Sequence, residues 1–186
     1  MTEVSSLTGR LLVATPALAD PNFDRAVVLL LDHDDEGSLG VVLNRPTPIT
    51  VGDILASWAP LAGDPGVVFQ GGPVSLDAAL GLAVIPGDEG PLGWRRVYGA
   101  IGLVDLETPP ELLGPALGSL RIFAGYAGWG PGQLETELGE GAWYVVESEP
   151  GDVSSPSPET LWRSVLRRQR GELAIVATYL DDPSLN

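Results

Sequence analysis

Tyr126-Ala127-Gly128-Trp129-Gly130-Pro131-Gly132-Gln133-Leu134-Glu135 sets three glycines and a proline around two large aromatic side chains. Glycine adopts positive φ without the Cβ clash that costs other residues about 1–2 kcal/mol. An apolar run, Leu120 to Gly125, predicts a strand entering this segment. A helical pattern around Gly132 to Leu138 leaves it. The expected arrangement is a tight turn: Gly128 and Gly130 reverse the chain, Pro131 opens the helix, and Tyr126 and Trp129 wedge into the core.

What surrounds this turn is bounded by the residues the chain lacks. It has 186 residues, enough for one domain with a full core, and a single domain over 1–186 is expected. It holds no Cys, no Lys and one His, His33. Thiol catalysis, thiolate metal sites, Schiff-base chemistry and the Lys-dependent phosphate loop are therefore excluded. A metal site built on two His ligands of one chain is excluded too, and no metal or cofactor is expected. The formal charge of −15 repels phosphate backbones at long range. No stretch is long and apolar enough to span a bilayer. Leu11 to Ala14 followed by Ala17-Leu18-Ala19 imitates a signal peptide. Glu3 offsets Arg10, however, and Thr15 and Pro16 break the apolar stretch, so a cytoplasmic location is expected.

Strands are predicted at Gly9 to Ala14, Ala26 to Leu31 and Leu39 to Leu43, the last ended by Pro46 and Pro48 and forming a hairpin with the second across the acidic turn Asp32 to Ser38. Thr50 is expected to cap a helix bearing Val51, Ile54, Leu55 and Trp58 on one face, ended by Pro60. Further strands are predicted at Gly66 to Gln70, Ala78 to Ile85, Arg96 to Val104 and Ala142 to Glu147. Thr108-Pro109-Pro110-Glu111 predicts a capping box opening a helix that Gly118 ends. Gly151 to Pro158 reads as a loop. Ser157-Pro158-Glu159 then starts a long helix with Leu161, Trp162, Val165 and Leu166 inward, and Leu173 to Leu180 continues as strand or helix. Strands and helices do not alternate strictly, which favours α+β over a parallel α/β sheet.

Several blocks, in order, resemble one bacterial family. They are Gly9-Arg10-Leu11-Leu12-Val13-Ala14-Thr15-Pro16; Asp20-Pro21-Asn22-Phe23; Val27-Val28-Leu29-Leu30 with His33; Gly37 to Pro46; Gly71-Gly72-Pro73-Val74; and Gly125 to Glu135. Jointly they are similar to the AlgH/YqgE family. That resemblance implies an α+β fold of coiled, bifurcated, mainly antiparallel sheets flanked by helices, in a bacterial cytosolic protein. It implies no reaction, because the family has no agreed activity; one branch is named for regulating alginate synthesis.

Gly128 to Glu135 sits where phosphate loops sit, but it lacks Gly-x-Gly-x-x-Gly and a Lys, and Glu135 and Glu137 add negative charge. Arg45, in Asn44-Arg45-Pro46, either clamps a ligand's carboxylate or phosphate or fixes the turn internally. Asp32 to Gly37 imitates a calcium loop, but Leu43 stands where the bidentate Glu is required, so a solvated hairpin turn is expected, with His33 a turn residue. Arg163, Arg167, Arg168 and Arg170 are expected to complement a helix end and pair with acids rather than bind DNA. Ser38, Ser75 and Ser119 lie in no Gly-x-Ser-x-Gly elbow, so no hydrolase triad is expected. The candidate ligand cleft is Asn44, Arg45, Trp129, Gln133 and Glu135. The leading expectation is a non-enzymatic binding or regulatory protein with an unknown protein or small-molecule partner. A carboxylate- or divalent-metal-dependent enzyme and a direct DNA regulator are the alternatives.

Overall fold

Val27 to Leu31 is a run of five apolar residues, and all five are buried, as a strand covered on both faces requires. The computed structural model describes residues 6–18, 20–87, 90–169 and 171–178. Ala19, Arg170 and Leu180 lie outside the described residues. The run opens β2 (Val27–Asp34), which pairs antiparallel with β1 (Leu11–Ala14) and β3 (Gly37–Val42). Leu11 to Ala14 are all buried, because Leu11 and Val13 pack in one core cluster and Leu12 and Ala14 in another; β10 (Trp143–Val146) pairs along the other edge of β1.

The remaining strands are β4 (Pro46–Thr50), β5 (Val67–Gln70), β6 (Val74–Val84), β7 (Trp94–Tyr98), β8 (Ile101–Val104) and β9 (Ser119–Trp129). The sheet runs β10-β1-β2-β3-β9-β6-β8-β7. It forks at β9. Along one edge β9 pairs with β6. Along the other, Phe123 and Ala124 pair parallel with Phe69 and Gln70 of β5, while Ala127 to Trp129 pair antiparallel with β3. β4 hangs from β5. Gly71 sits in the fork: its N–H donates to Ala124 and its carbonyl accepts from Val42. A Cβ there would stand 2.4 Å from the Gly125 carbonyl oxygen, so only glycine lets the branches meet.

The sheet also curls. The Tyr98 hydroxyl, on edge strand β7, donates to Glu147 just beyond the opposite edge at 3.2 Å. Inside the curl lies the largest apolar cluster, including Leu29, Phe69, Leu82 and Phe123. It is closed by α5 (Leu161–Arg167) and α6 (Glu172–Val176), and α4 (Pro150–Val153) contributes Val153. Leu161, Trp162, Val165 and Leu166 point inward as their spacing predicts, and the Trp162 indole donates to the Ala14 carbonyl at 2.8 Å. The outer face of β1–β3 is covered by α3 (Gln133–Gly139), with Leu134 buried against Val28, Leu30 and Trp129. A third cluster, under α1 (Val51–Ile54) and α2 (Pro110–Leu113), holds Trp58, Ile122 and Leu113. The fold is thus α+β, with a bifurcated, mainly antiparallel sheet flanked by helices.

The structure corrects several local readings. The glycine segment is not a turn: β9 runs through Tyr126 to Trp129 because β3 pairs with it. Gly128 and Gly130 have no positive φ; Gly125 (φ 76°) and Gly132 (φ 74°), the latter preceding α3, take that conformation. Pro46 and Pro48 lie within β4, where a strand bonded to one neighbour tolerates them. The helix at Thr50 is one short turn followed by a 3₁₀ turn, Ala56–Leu61, that includes Pro60; Ile54 is exposed. Thr108 and Glu111 form no capping box: α2 is capped by Pro109 and ends at Leu113, well before Gly118. Arg96 to Val104 is two strands separated at Gly99-Ala100. The Gly151 to Pro158 loop contains α4, held by a capping box between Glu149 and Asp152. The final helix is short, and α6 is a separate segment after Gly171.

Candidate functional site

Strand β3 carries candidate residues at both ends. Ser38, at its start, pairs with Trp129, and pairing with β2 continues to Leu43, whose N–H donates to Val27. Asn44 follows, six positions beyond Ser38. At about 3.3 Å per residue the two ends stand roughly 20 Å apart. The five residues predicted to line one cleft are therefore divided. Asn44 and Arg45 lie together at the exit of β3. Trp129, Gln133 and Glu135 lie together near its entrance, against α3.

At the exit, Asn44 joins two strands: its Oδ1 accepts from the Val27 N–H at 3.0 Å and its Nδ2 donates to the Arg25 carbonyl at 2.9 Å. Among the described residues, Arg45 pairs with no carboxylate. Its guanidinium donates to the carbonyls of Pro21 (3.0 Å) and Asp24 (2.8 Å), tying down the Asp20-Pro21-Asn22-Phe23 turn. Arg25 is held at φ 55°, a left-handed conformation that costs a non-glycine residue about 1–3 kcal/mol. Its guanidinium lies 4.1 Å from the centroid of the Trp162 ring. Around these groups opens a cleft of about 540 Å³, lined by Asp24, Arg25, Asn44, Arg45, Gln70 and Glu159 among others. It presents both signs of charge and two amides.

At the entrance, α3 supplies polar groups that mostly satisfy one another. Glu137 Oε1 accepts from the indoles of Trp129 (3.1 Å) and Trp143 (2.9 Å), and its Oε2 accepts from Gln133 (3.1 Å). Gln133 Oε1 in turn accepts from the Gly130 N–H. Phe23, Trp129 and Trp143 pack as a trio with ring centroids 5.5–6.2 Å apart. Trp129 is thus the core aromatic its sequence setting predicts, and Glu137 exists in the site to receive indole protons. Glu135 turns the other way, toward His33: His33 Nε2 stands 3.3 Å from Glu135 Oε1, and His33 Nδ1 stands 2.6 Å from Ser38 Oγ. The His33 side chain is only 2% exposed. This Ser–His–Glu chain was invisible in sequence, because residues 33, 38 and 135 form no motif until the hairpin and α3 meet. Such arrangements are recognised by geometry and not by order.

Three other arginines are tied into the fold. Arg168 binds Asp152 through both guanidinium nitrogens, at 2.6 and 2.7 Å, with Glu149 at 3.2 Å. The Asp152 hydrogen bond holds the Arg168 pKa above its usual value, against the opposing effect of burial, and the charges of Asp152 and Glu149 add to the rise. Arg163 donates to the Ala177 carbonyl. Arg121 is 3% exposed, stacks on Phe69 and donates to the carbonyls of Asp64 and Ser155; burial lowers its pKa to about 10. Among the described residues, no group of three or more His, Cys, Asp or Glu gathers to hold a metal ion. Nor is any helix among them long and apolar enough to cross a membrane.

A forked, curled, mainly antiparallel sheet with this distribution of blocks defines the class, and comparison supplies the family. The AlgH-like (DUF179) family model matches residues 11–174, and the chain belongs to that family. A UPF0301 protein of Streptomyces avermitilis is 86% identical over 100% of this chain and 98% of its own length. Another, from Thermobifida fusca, is 52% identical over 97% and 96%. Among solved structures, the crystal structure of protein DIP2367 from Corynebacterium diphtheriae superposes with a TM-score of 0.89 at 30% identity, covering 96% of this chain and 95% of that one. The solution structure of AlgH from Pseudomonas aeruginosa superposes with a TM-score of 0.70 at 28% identity, covering 97% and 98%.

Proposed function

We propose that this protein is a cytoplasmic binding protein with a regulatory role, and that its ligand is a small polar molecule seated in the cleft at the exit of β3. The observation that carries the reading is the convergence there of Asn44, Arg45, Gln70, Glu159 and a backbone-strained Arg25 around about 540 Å³ of open space. That volume suits a small metabolite. Strain of this kind persists only where the surroundings over-determine it, and it concentrates at ligand clamps. The lining favours a ligand with an anionic group for the arginines and a hydrogen-bond donor for Glu159 or Asp24, as in an amino acid or its derivative. Asn44 and Arg45 remain candidate ligand contacts; Trp129, Gln133 and Glu135 do not belong to this cleft.

Nucleic acid is left out of the reading. Affinity for it follows the number of phosphates neutralised, and Arg168 and Arg163 are already engaged within the fold. The test is native mass spectrometry of the protein purified from its host, alongside Arg45→Ala and Glu159→Gln. A bound small molecule on the wild type, lost from both variants, supports the cleft. A wild-type protein with no bound mass, and no thermal stabilisation by amino acids at millimolar concentration, sinks it.

A further inference from the structure

His33 is the chain's one histidine, nearly sealed from solvent, and neither the cleft nor the core requires its imidazole. It lies directly across the hairpin from Ser38, in register. Glu135, reaching down from α3, can only accept a hydrogen bond when ionised. In the tautomer that carries its proton on Nε2, the imidazole turns that N–H toward Glu135, 3.3 Å away. Nδ1 is then left with its lone pair, and it faces Ser38 Oγ at 2.6 Å. In that tautomer the Ser38 hydroxyl is the donor. That is the proton arrangement of a base about to activate an alcohol, with the carboxylate setting the tautomer.

We propose that Ser38 is an acyl-accepting nucleophile, with His33 as its general base and Glu135 as the residue that positions His33. Ser38 is partly exposed and borders a cleft of about 240 Å³ shared with Asp32, Asp34, Glu36, Leu39 and Trp129. The small volume selects a short acyl group. The acidic rim selects a cationic ester or thioester and disfavours an anionic one. In the forward step Ser38 Oγ bonds to the acyl carbon and its proton passes to His33 Nδ1. The bond from that carbon to the leaving oxygen or sulfur breaks, and the leaving group takes the proton from Nδ1. Water, deprotonated by the same nitrogen, then releases the acid and restores the Ser38 hydroxyl.

The exit cleft and this site are separate, so either can fail without the other. The full chain is treated with an alkyl fluorophosphonate and mapped by peptide mass spectrometry. Hydrolysis of acetylthiocholine is compared with that of the anionic S-acetylthioglycolate. Covalent label on Ser38, fluoride release and faster turnover of acetylthiocholine are expected. Ser38→Ala should abolish label and turnover. His33→Gln should slow both by about 10²–10⁴-fold. Glu135→Gln, at a half-exposed position, should slow labelling while leaving the circular dichroism spectrum unchanged. Absence of label on the wild type overturns the proposal, and so does a Ser38→Ala protein that hydrolyses as the wild type does. A wild-type labelling rate in Glu135→Gln overturns the part given to Glu135.

Discussion

The two ends of β3 solve opposite problems with similar residues. At its entrance, polar side chains from α3 close on one another: Glu137 receives two indoles and an amide, and Glu135 meets His33, which meets Ser38. At its exit, Asn44 and Arg45 bond almost wholly to backbone, at Val27, Arg25, Pro21 and Asp24, and open space remains beside them. A side-chain network rigidifies and leaves little room, whereas side chains that staple backbone build walls around a cleft. The difference explains why residues from two hallmark blocks do not form one site.

Mutations should fall in the order this contrast dictates. Trp129→Ala removes the centre of the aromatic trio and should destabilise by about 3–5 kcal/mol in urea unfolding, the range for truncating a core tryptophan. A loss below about 1 kcal/mol would mean that the entrance is not rigid. Glu137→Ala leaves the indoles of Trp129 and Trp143 without their acceptor. It should cost about 1–3 kcal/mol, the penalty for an unsatisfied buried donor, read from the same unfolding curves. Asn44→Ala deprives the Val27 N–H of its acceptor and should cost about 1–2 kcal/mol on that scale. Hydrogen exchange should show the protection of Val27 falling while that of β9 is unchanged. Arg45→Ala should have the smallest effect, about 0.5–1.5 kcal/mol, because its two hydrogen bonds lie at the surface and the freed carbonyls can meet water. Its signature should be loss of ligand-induced stabilisation in a thermal melt. An Arg45→Ala penalty as large as that of Trp129→Ala would erase the distinction between the two ends.

Much of the fold is legible in the residues. The buried run at Val27 to Leu31 and the inward face of α5 appear where periodicity places them; the hairpin forms too, but its turn is only Asp35-Glu36, so His33, expected in the turn, is a buried residue of β2. Two of the errors fall where a partner strand overrules local preference. Gly128 and Gly130 read as a turn, yet β3 pairs alongside and keeps the chain extended to Trp129. Pro46 and Pro48 read as a stop, yet β4 needs bonds on one side alone. Of the candidate cleft, the sequence indicates Asn44 and Arg45 through their place after a buried strand. It misses Arg25, Gln70 and Glu159, which come from three other segments of the chain.

The sequence by itself determined the chain's family, its α+β class and the chemistries it forgoes, because those depend on residue types and their order. A chain without Cys or Lys cannot perform thiol or Schiff-base catalysis in any conformation. Tertiary structure alone decided which of the remaining groups meet. His33, Ser38 and Glu135 become neighbours because the β2–β3 register, shifted between Leu30 and Asp32, sets His33 opposite Ser38 and α3 packs across them; a slip of one residue would turn the His33 side chain to the other face. Trp129 and Arg45 are parted by the length of the strand between them. Contacts between distant segments arise from pairing and packing, which composition and local spacing do not encode.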